Sequence, residues 1–174
     1  MSIYVTGDIH GYPIRFDEIK LKAMRLRLTE NDKLIICGDF GLPWYGDKEE
    51  ECCLDWLEAR PFEILFIDGN HENFDYIETF PEEEWLGGKV HRLSENIVHL
   101  KRGEIFEIFG KTFLCFGGCK SSSRWKELGL YWPQEEPTAE ELNNALKNIK
   151  RHGNKVDYVL THRYYEEMSP TDIT

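Results

Sequence analysis

The chain has no long apolar run. Nothing in its 174 residues approaches the ~18 consecutive apolar residues that mark a membrane-spanning helix. The N-terminus enters a strand-like run directly, without a charged-then-apolar leader. Positive charge is scarce: 21 Lys and Arg stand against 32 Asp and Glu, for a net charge of -11. That balance argues against a broad basic surface for nucleic acid or an anionic membrane. Phosphorylated substrates stay open, because bound divalent cations reverse the local sign. Cysteine is sparse and poorly arranged for disulfides, with five thiols, an odd number, and Cys52 adjacent to Cys53. Reduced thiols and a cytoplasmic setting are therefore expected. Cys115 and Cys119 lack a second Cys or His pair at zinc spacing, so they read as core packing. There is no internal repeat, low-complexity tract or Gly/Ser linker. With 41% hydrophobic and 13% aromatic residues the composition is globular, and one domain over 1–174 is the default for this length.

What the chain does have is a repeated pairing of apolar run and polar tip. Ile3-Tyr4-Val5 leads into Gly7-Asp8-Ile9-His10-Gly11. Leu34 to Cys37 leads into Gly38-Asp39, Ile64 to Ile67 into Gly69-Asn70-His71-Glu72, and Val156 to Leu160 into Thr161-His162. Each run is a strand candidate, and each tip carries a side chain able to hold a metal. In open α/β sheets the loops at the carboxyl ends of strands build the site. Asp8 and His10, two residues apart, offer a carboxylate and an imidazole to one cation, and glycines on both sides let the backbone turn sharply.

These motifs, in this order, resemble the calcineurin-like metallophosphoesterase superfamily, which carries G-D-x-H-G, then G-D, then G-N-H-E, then a histidine after a strand, then a final G-x-H. The likeness runs from Asp8 to His162. It implies an α/β fold of four layers, helices outside two packed sheets. It also implies hydrolysis of a small phosphomonoester or phosphodiester by a hydroxide held between two divalent ions, with manganese first and iron, zinc or nickel as alternatives. By resemblance Asp8 and His10 hold the first ion, Asp39 bridges, and Asn70 and His162 hold the second. His71 contacts the phosphoryl group and protonates the leaving alkoxide, a task that suits a histidine near neutrality; the alternative is that it only orients its loop. Glu72 is left as a supporting or structural residue.

Elsewhere the apolar residues recur with helix and strand periods. Phe16, Ile19, Ala23 and Leu26 step as one helix face, with Leu21, Met24 and Leu28 as a second stripe. A second helix covers Glu49 to Ala59, its acidic start suiting the helix dipole. Glu82-Glu83-Glu84 reads as a solvated connection. Ile97 to Leu100, Glu104 to Phe109 and Thr112 to Phe116 read as short strands with tight turns between them. Thr138 and Glu141 form a capping box for a helix whose buried stripe is Leu142, Ala145, Leu146 and Ile149. His152, before Gly153, reads as its C-terminal cap. Gly117 to Pro137 is the expected substrate-side segment, with Arg124 to grip a phosphate and Trp132 to stack on a ring. An aromatic loop packed on the domain is the equal alternative.

Two departures from the family pattern matter. Phe40-Gly41-Leu42-Pro43 follows Asp39 where protein phosphatases of the superfamily continue V-D-R-G, which argues against a protein substrate. After His162 there is no further histidine, so the closing G-x-H is missing and the C-terminal part is expected to be absent or shortened. Three ligands per ion would then imply weak metal binding, and an open sheet edge would invite a homodimer. Two alternatives to a small-molecule phosphoesterase follow: a nuclease, disfavoured by the acidic balance, and a non-catalytic metal-binding or interaction module with an incomplete site.

Overall fold

A computed structural model of the chain describes residues 1–11 and 28–163. The helix expected over Phe16 to Leu26 and the segment after Arg163 lie outside the described residues. The described chain is mixed α/β. The first sheet collects β1 (Ile3–Thr6), β2 (Lys33–Cys37), β3 (Glu63–Ile67), β4 (Glu82–Trp85), β5 (Gly88–Arg92) and β6 (Ile97–Leu100) in the order β1-β2-β3-β6-β5-β4. The second collects β7 (Glu104–Ile108), β8 (Lys111–Phe116) and β9 (Tyr158–Thr161). Helix α1 (Lys48–Glu58) lies between β2 and β3 in sequence, and a single turn, α2 (Phe74–Ile77), follows β3. Helices α3 (Ser123–Glu127) and α4 (Ala139–Arg151) come between β8 and β9. No helix among the described residues is long and apolar enough to cross a membrane.

Strands β1, β2, β3 and β6 run parallel, so the loops leaving β1, β2 and β3 open on one rim. Parallel strands are buried on both faces, and β2 and β3 show it. Leu34, Ile36, Ile64 and Phe66 point to a cluster shared with Leu57 of α1, while Ile35, Leu65 and Ile67 point to a cluster shared with Phe106, Phe113 and Cys115 of the second sheet. A third cluster, with Ile105, Leu114, Phe116 and Ala145, joins the second sheet to α4. The Asp47 side chain caps α1 by accepting the N–H groups of Glu49 and Glu50, both at 3.0 Å.

Three expectations need correction. Glu82 to Glu84 is an edge strand, not a loop. Glutamate is a poor strand former, but here Glu82 pairs with Lys89 and Lys101 and Glu83 with Arg92, so cross-strand ion pairs hold the segment. The segment 117–137 is partly ordered, with α3 and a 3₁₀ turn at Pro133–Glu135. The buried stripe of α4 is rotated: Ala145 and Asn148 are buried, while Leu142 and Leu146 are exposed. The cause is polar. Asn148 Nδ2 donates to the Gly103 carbonyl at 2.8 Å, and Asn144 Nδ2 to Glu104 at 2.7 Å. Gly103 also lets the helix come close, since a Cβ there would stand 2.8 Å from the Glu141 carbonyl oxygen. The capping box of Thr138 and Glu141 is present, and His152 caps the C-terminus with Nδ1 3.0 Å from the Asn148 carbonyl oxygen.

This face assignment has a direct test. Leu146→Glu should change stability by no more than about 0.5 kcal/mol, whereas Ala145→Leu should cost about 1–3 kcal/mol by overpacking, both measured by urea unfolding.

Candidate metal centre

Each predicted ligand stands just past a strand. Asp8 follows β1, Asp39 follows β2, Asn70 follows β3 and His162 follows β9. The first two loops are stitched by backbone: Ile9 and His10 donate their N–H groups to the Asp39 carbonyl at 3.0 and 2.8 Å, and Gly11 donates to that of Phe40 at 2.8 Å. His10 and Asp39 take left-handed backbone, with φ of 51° and 50°. That conformation is uncommon outside glycine, although Asp and His tolerate it better than most residues. The stitching holds both there.

The side chains then converge. Asp39 Oδ2 lies 3.5 Å from His10 Nε2, and Asp39 Oδ1 lies 3.4 Å from His162 Nε2. Asp8 stands 3.8 Å from each of the same two imidazoles. Asp8, Asp39 and His162 place ligand atoms within 4.8 Å of one another, the one such His/Cys/Asp/Glu group among the described residues. Two donors each about 2.1 Å from one ion stand roughly 3–4 Å apart, which is the spacing seen. Hydrogen bonding supports the same fit. His162 Nδ1 donates to the Cys37 carbonyl at 2.9 Å, so in the neutral ring Nε2 carries no proton and faces a carboxylate oxygen. An imidazole nitrogen without a proton, beside a carboxylate, suits a shared cation. Asn70 spends its Nδ2 on Ser121 Oγ at 3.0 Å, which leaves its carbonyl oxygen as the donor.

Two motif glycines now have a reason. A Cβ on Gly38, already at φ 91°, would overlap the His162 imidazole, and a Cβ on Gly69 would overlap the Asp39 carboxylate. Glu72 closes the site from behind. It is fully buried and accepts the N–H groups of Phe40 and Gly41 at 2.9 Å each and of Gly69 at 3.2 Å. Burial pushes its carboxyl up to about 8, and the Asp39 charge adds to that push, against the pull of the three amides. His71 holds its ring edge-on to His10 and to Trp125, at 5.3 and 4.7 Å between centroids, and lines the metal cleft of about 470 Å³.

Arg124 is exposed on α3 and does not line this cleft; its cations are Lys120 and Arg163. Sequence reasoning missed Glu135, fully buried, whose carboxylate accepts from both the N–H and the hydroxyl of Ser121, at 2.8 and 2.9 Å. It also missed Asp68, whose carboxylate is gripped by Arg102 (Nε at 2.7 Å) and lies 3.2 Å from His99 Nε2. Burial alone would raise the Asp68 carboxyl, but Arg102 and His99 bring it down to about 2. No short motif announces either residue, because their partners lie far off in the chain. His91 and His99 pair with each other, Nδ1 to Nδ1 at 3.2 Å, away from the centre. Burial, with His99 and Lys101 beside it, pushes His91 down to about 4.

Gly38→Ala should weaken Mn²⁺ binding by about 10–100-fold, the usual effect of displacing a ligand's support, and His162→Ala by at least as much, read by titration calorimetry. Affinity should also fall as pH drops into the range where imidazoles protonate, since only the neutral ring ligates.

No curated protein and no solved structure matches the chain. A sequence model of the family described as calcineurin-like phosphoesterase matches residues 1–172, nearly the whole length. The ordered motifs, the parallel strand ends that deliver them and this match agree: the chain belongs to the calcineurin-like phosphoesterase family.

Proposed function

We propose that the chain is a dinuclear metal-dependent phosphoesterase acting on a small phosphomonoester or phosphodiester. The observation that carries this reading is Asp39, whose two carboxylate oxygens face different imidazoles, Oδ2 toward His10 and Oδ1 toward His162. A carboxylate so split suits a bridge, with Asp8 and His10 completing one ion's protein ligands and Asn70 and His162 the other's. The N/O donor set favours manganese, with iron, zinc or nickel as alternatives. When bound, two such ions supply an activated water and neutralise charge on the phosphoryl oxygens. In the net reaction the water oxygen bonds to phosphorus, the ester P–O bond breaks, and the leaving oxygen takes a proton. His71, at the cleft wall beside His10 and Trp125, suits donation of that proton. Lys120 and Arg163 face the cleft and suit contact with phosphoryl oxygens, in the part first given to Arg124.

The same reading extends to architecture. The three apolar clusters alternate with α1, the first sheet, the second sheet and α4, which supports the family's four-layer sandwich in a single domain. Five free cysteines support a reducing, cytoplasmic setting. Among the described residues strand β9 lies at the edge of the second sheet with Tyr158 and Val159 exposed, which supports self-association. The single three-residue ligand group among the described residues favours a second reading, a metal-binding module without turnover.

A panel of phosphate esters with added Mn²⁺ separates these. Asp39→Ala should abolish hydrolysis and lower the metal content to one ion or none. His71→Ala should keep both ions and lose about 10²–10⁴-fold in rate. Equal metal loss in the two variants would overturn the division of roles; one ion and no turnover in the native chain would favour the module.

A further inference from the structure

A second cleft, of about 490 Å³, adjoins the metal centre, and His10 and His71 form part of both walls. Its remaining lining comes chiefly from the chain leaving β2 and the first turns of α1: Leu42, Trp44 and Tyr45 give apolar and aromatic surface, and Asp47 with Glu49 of α1 an acidic rim. A leaving group whose oxygen sits at His71 would project its organic part into this space.

The aromatic wall is preformed. Glu50 Oε2 accepts the N–H groups of Trp44, Tyr45 and Gly46 at 2.9, 2.8 and 2.7 Å. The Trp44 carbonyl accepts from Asn73 Nδ2 at 2.6 Å. The Trp44 ring meets Trp132 edge-on at 5.0 Å, and Trp132 Nε1 donates to Asp75 at 3.2 Å. Tyr45 is thus 78% exposed on a loop whose backbone is fixed from below. A backbone held this way loses little freedom when a ligand arrives, and a flat partner would stack on the Tyr45 ring or meet its edge. The carboxylates around it repel a second anion and accept N–H donors.

Resting on the phosphoesterase reading, we propose that this cleft is the leaving-group subsite, and that it selects esters whose alcohol carries a flat aromatic ring without further negative charge. Tyr45 and Trp44 set that preference, and Glu49 with Asp47 excludes a second phosphate.

With Mn²⁺ present, kcat/KM should be at least about tenfold higher for benzyl phosphate and adenosine 5′-monophosphate, whose leaving groups are alkoxides like that of glycerol, than for glycerol phosphate. It should be lowest for adenosine 3′,5′-bisphosphate. Tyr45→Ala, at an exposed position, should cut the ring-over-glycerol ratio about fivefold, mainly through KM. Glu49→Lys should narrow the penalty on the bisphosphate. Better turnover of benzyl phosphate alone would assign a simple aromatic alcohol, and better turnover of the nucleotide alone a nucleoside. Equal kcat/KM on ring and glycerol esters, or an unchanged ratio in Tyr45→Ala, would overturn the subsite. A separate arm needs no turnover: adenosine titrated into the metal-free chain should quench tryptophan fluorescence saturably, about fivefold more weakly in Tyr45→Ala. Binding without any hydrolysis would keep the subsite and sink the phosphoesterase reading; no binding would overturn the subsite even where hydrolysis is seen.

Discussion

Asp39 Oδ1 accepts the N–H groups of Asn70 and His71 at 3.0 and 2.9 Å, while the Asp39 carbonyl accepts those of Ile9 and His10. One residue therefore holds the loops after β1 and β3 against the loop after β2. Everything else at the centre follows from that convergence. Its left-handed backbone aims the carboxylate, Gly69 leaves space for it, and Glu72 ties the same loops from beneath. A side chain fixed by backbone amides needs little reorganisation when charge arrives.

The loop after β3 is braced at both ends by buried carboxylates of opposite character. Asp68 is held charged by Arg102 and His99, so removing Arg102 would strand a charge in the interior, a costly change. Glu72 is held by three backbone amides, those of Phe40, Gly41 and Gly69. Between them Asn70 and His71 are carried on a short rigid span. An acidic chain can afford such a site because its buried carboxylates are each occupied by donors.

How much of this was legible in the sequence depended on range. Asp8, His10, Asp39, Asn70 and His162 were readable because each follows an apolar strand run, and the structure does bring them to one rim. Strands β6, β7 and β8 were readable from their apolar runs and the glycines between them, but not their pairing: β6 joins the first sheet and only β7 and β8 form a hairpin in the second. The phase of α4 was misread because apolarity was taken as the guide, whereas Asn148 and Asn144 dock the helix through the Gly103 turn. The β4 edge was misread because three glutamates signal solvent until Lys89, Lys101 and Arg92 are placed opposite them. Glu135 and Asp68 were invisible, since their roles are defined by Ser121 and Arg102, side chains that only folding brings near. Arg124 was chosen for its charge and loop position; α3 turns it outward, and Lys120 and Arg163 hold the cleft instead.

The hydrogen bond from His162 to the Cys37 carbonyl links a residue that follows the second sheet to the last residue of β2 in the first. The centre thus lies on the seam between sheets rather than within either. Any ion shared by Asp39 and His162 would act as a rivet across that seam, and its binding free energy would become folding free energy. At a free ion concentration a hundred times the dissociation constant the linkage amounts to about 2.7 kcal/mol, so metal supply in the surroundings would set how firmly the two sheets stay together.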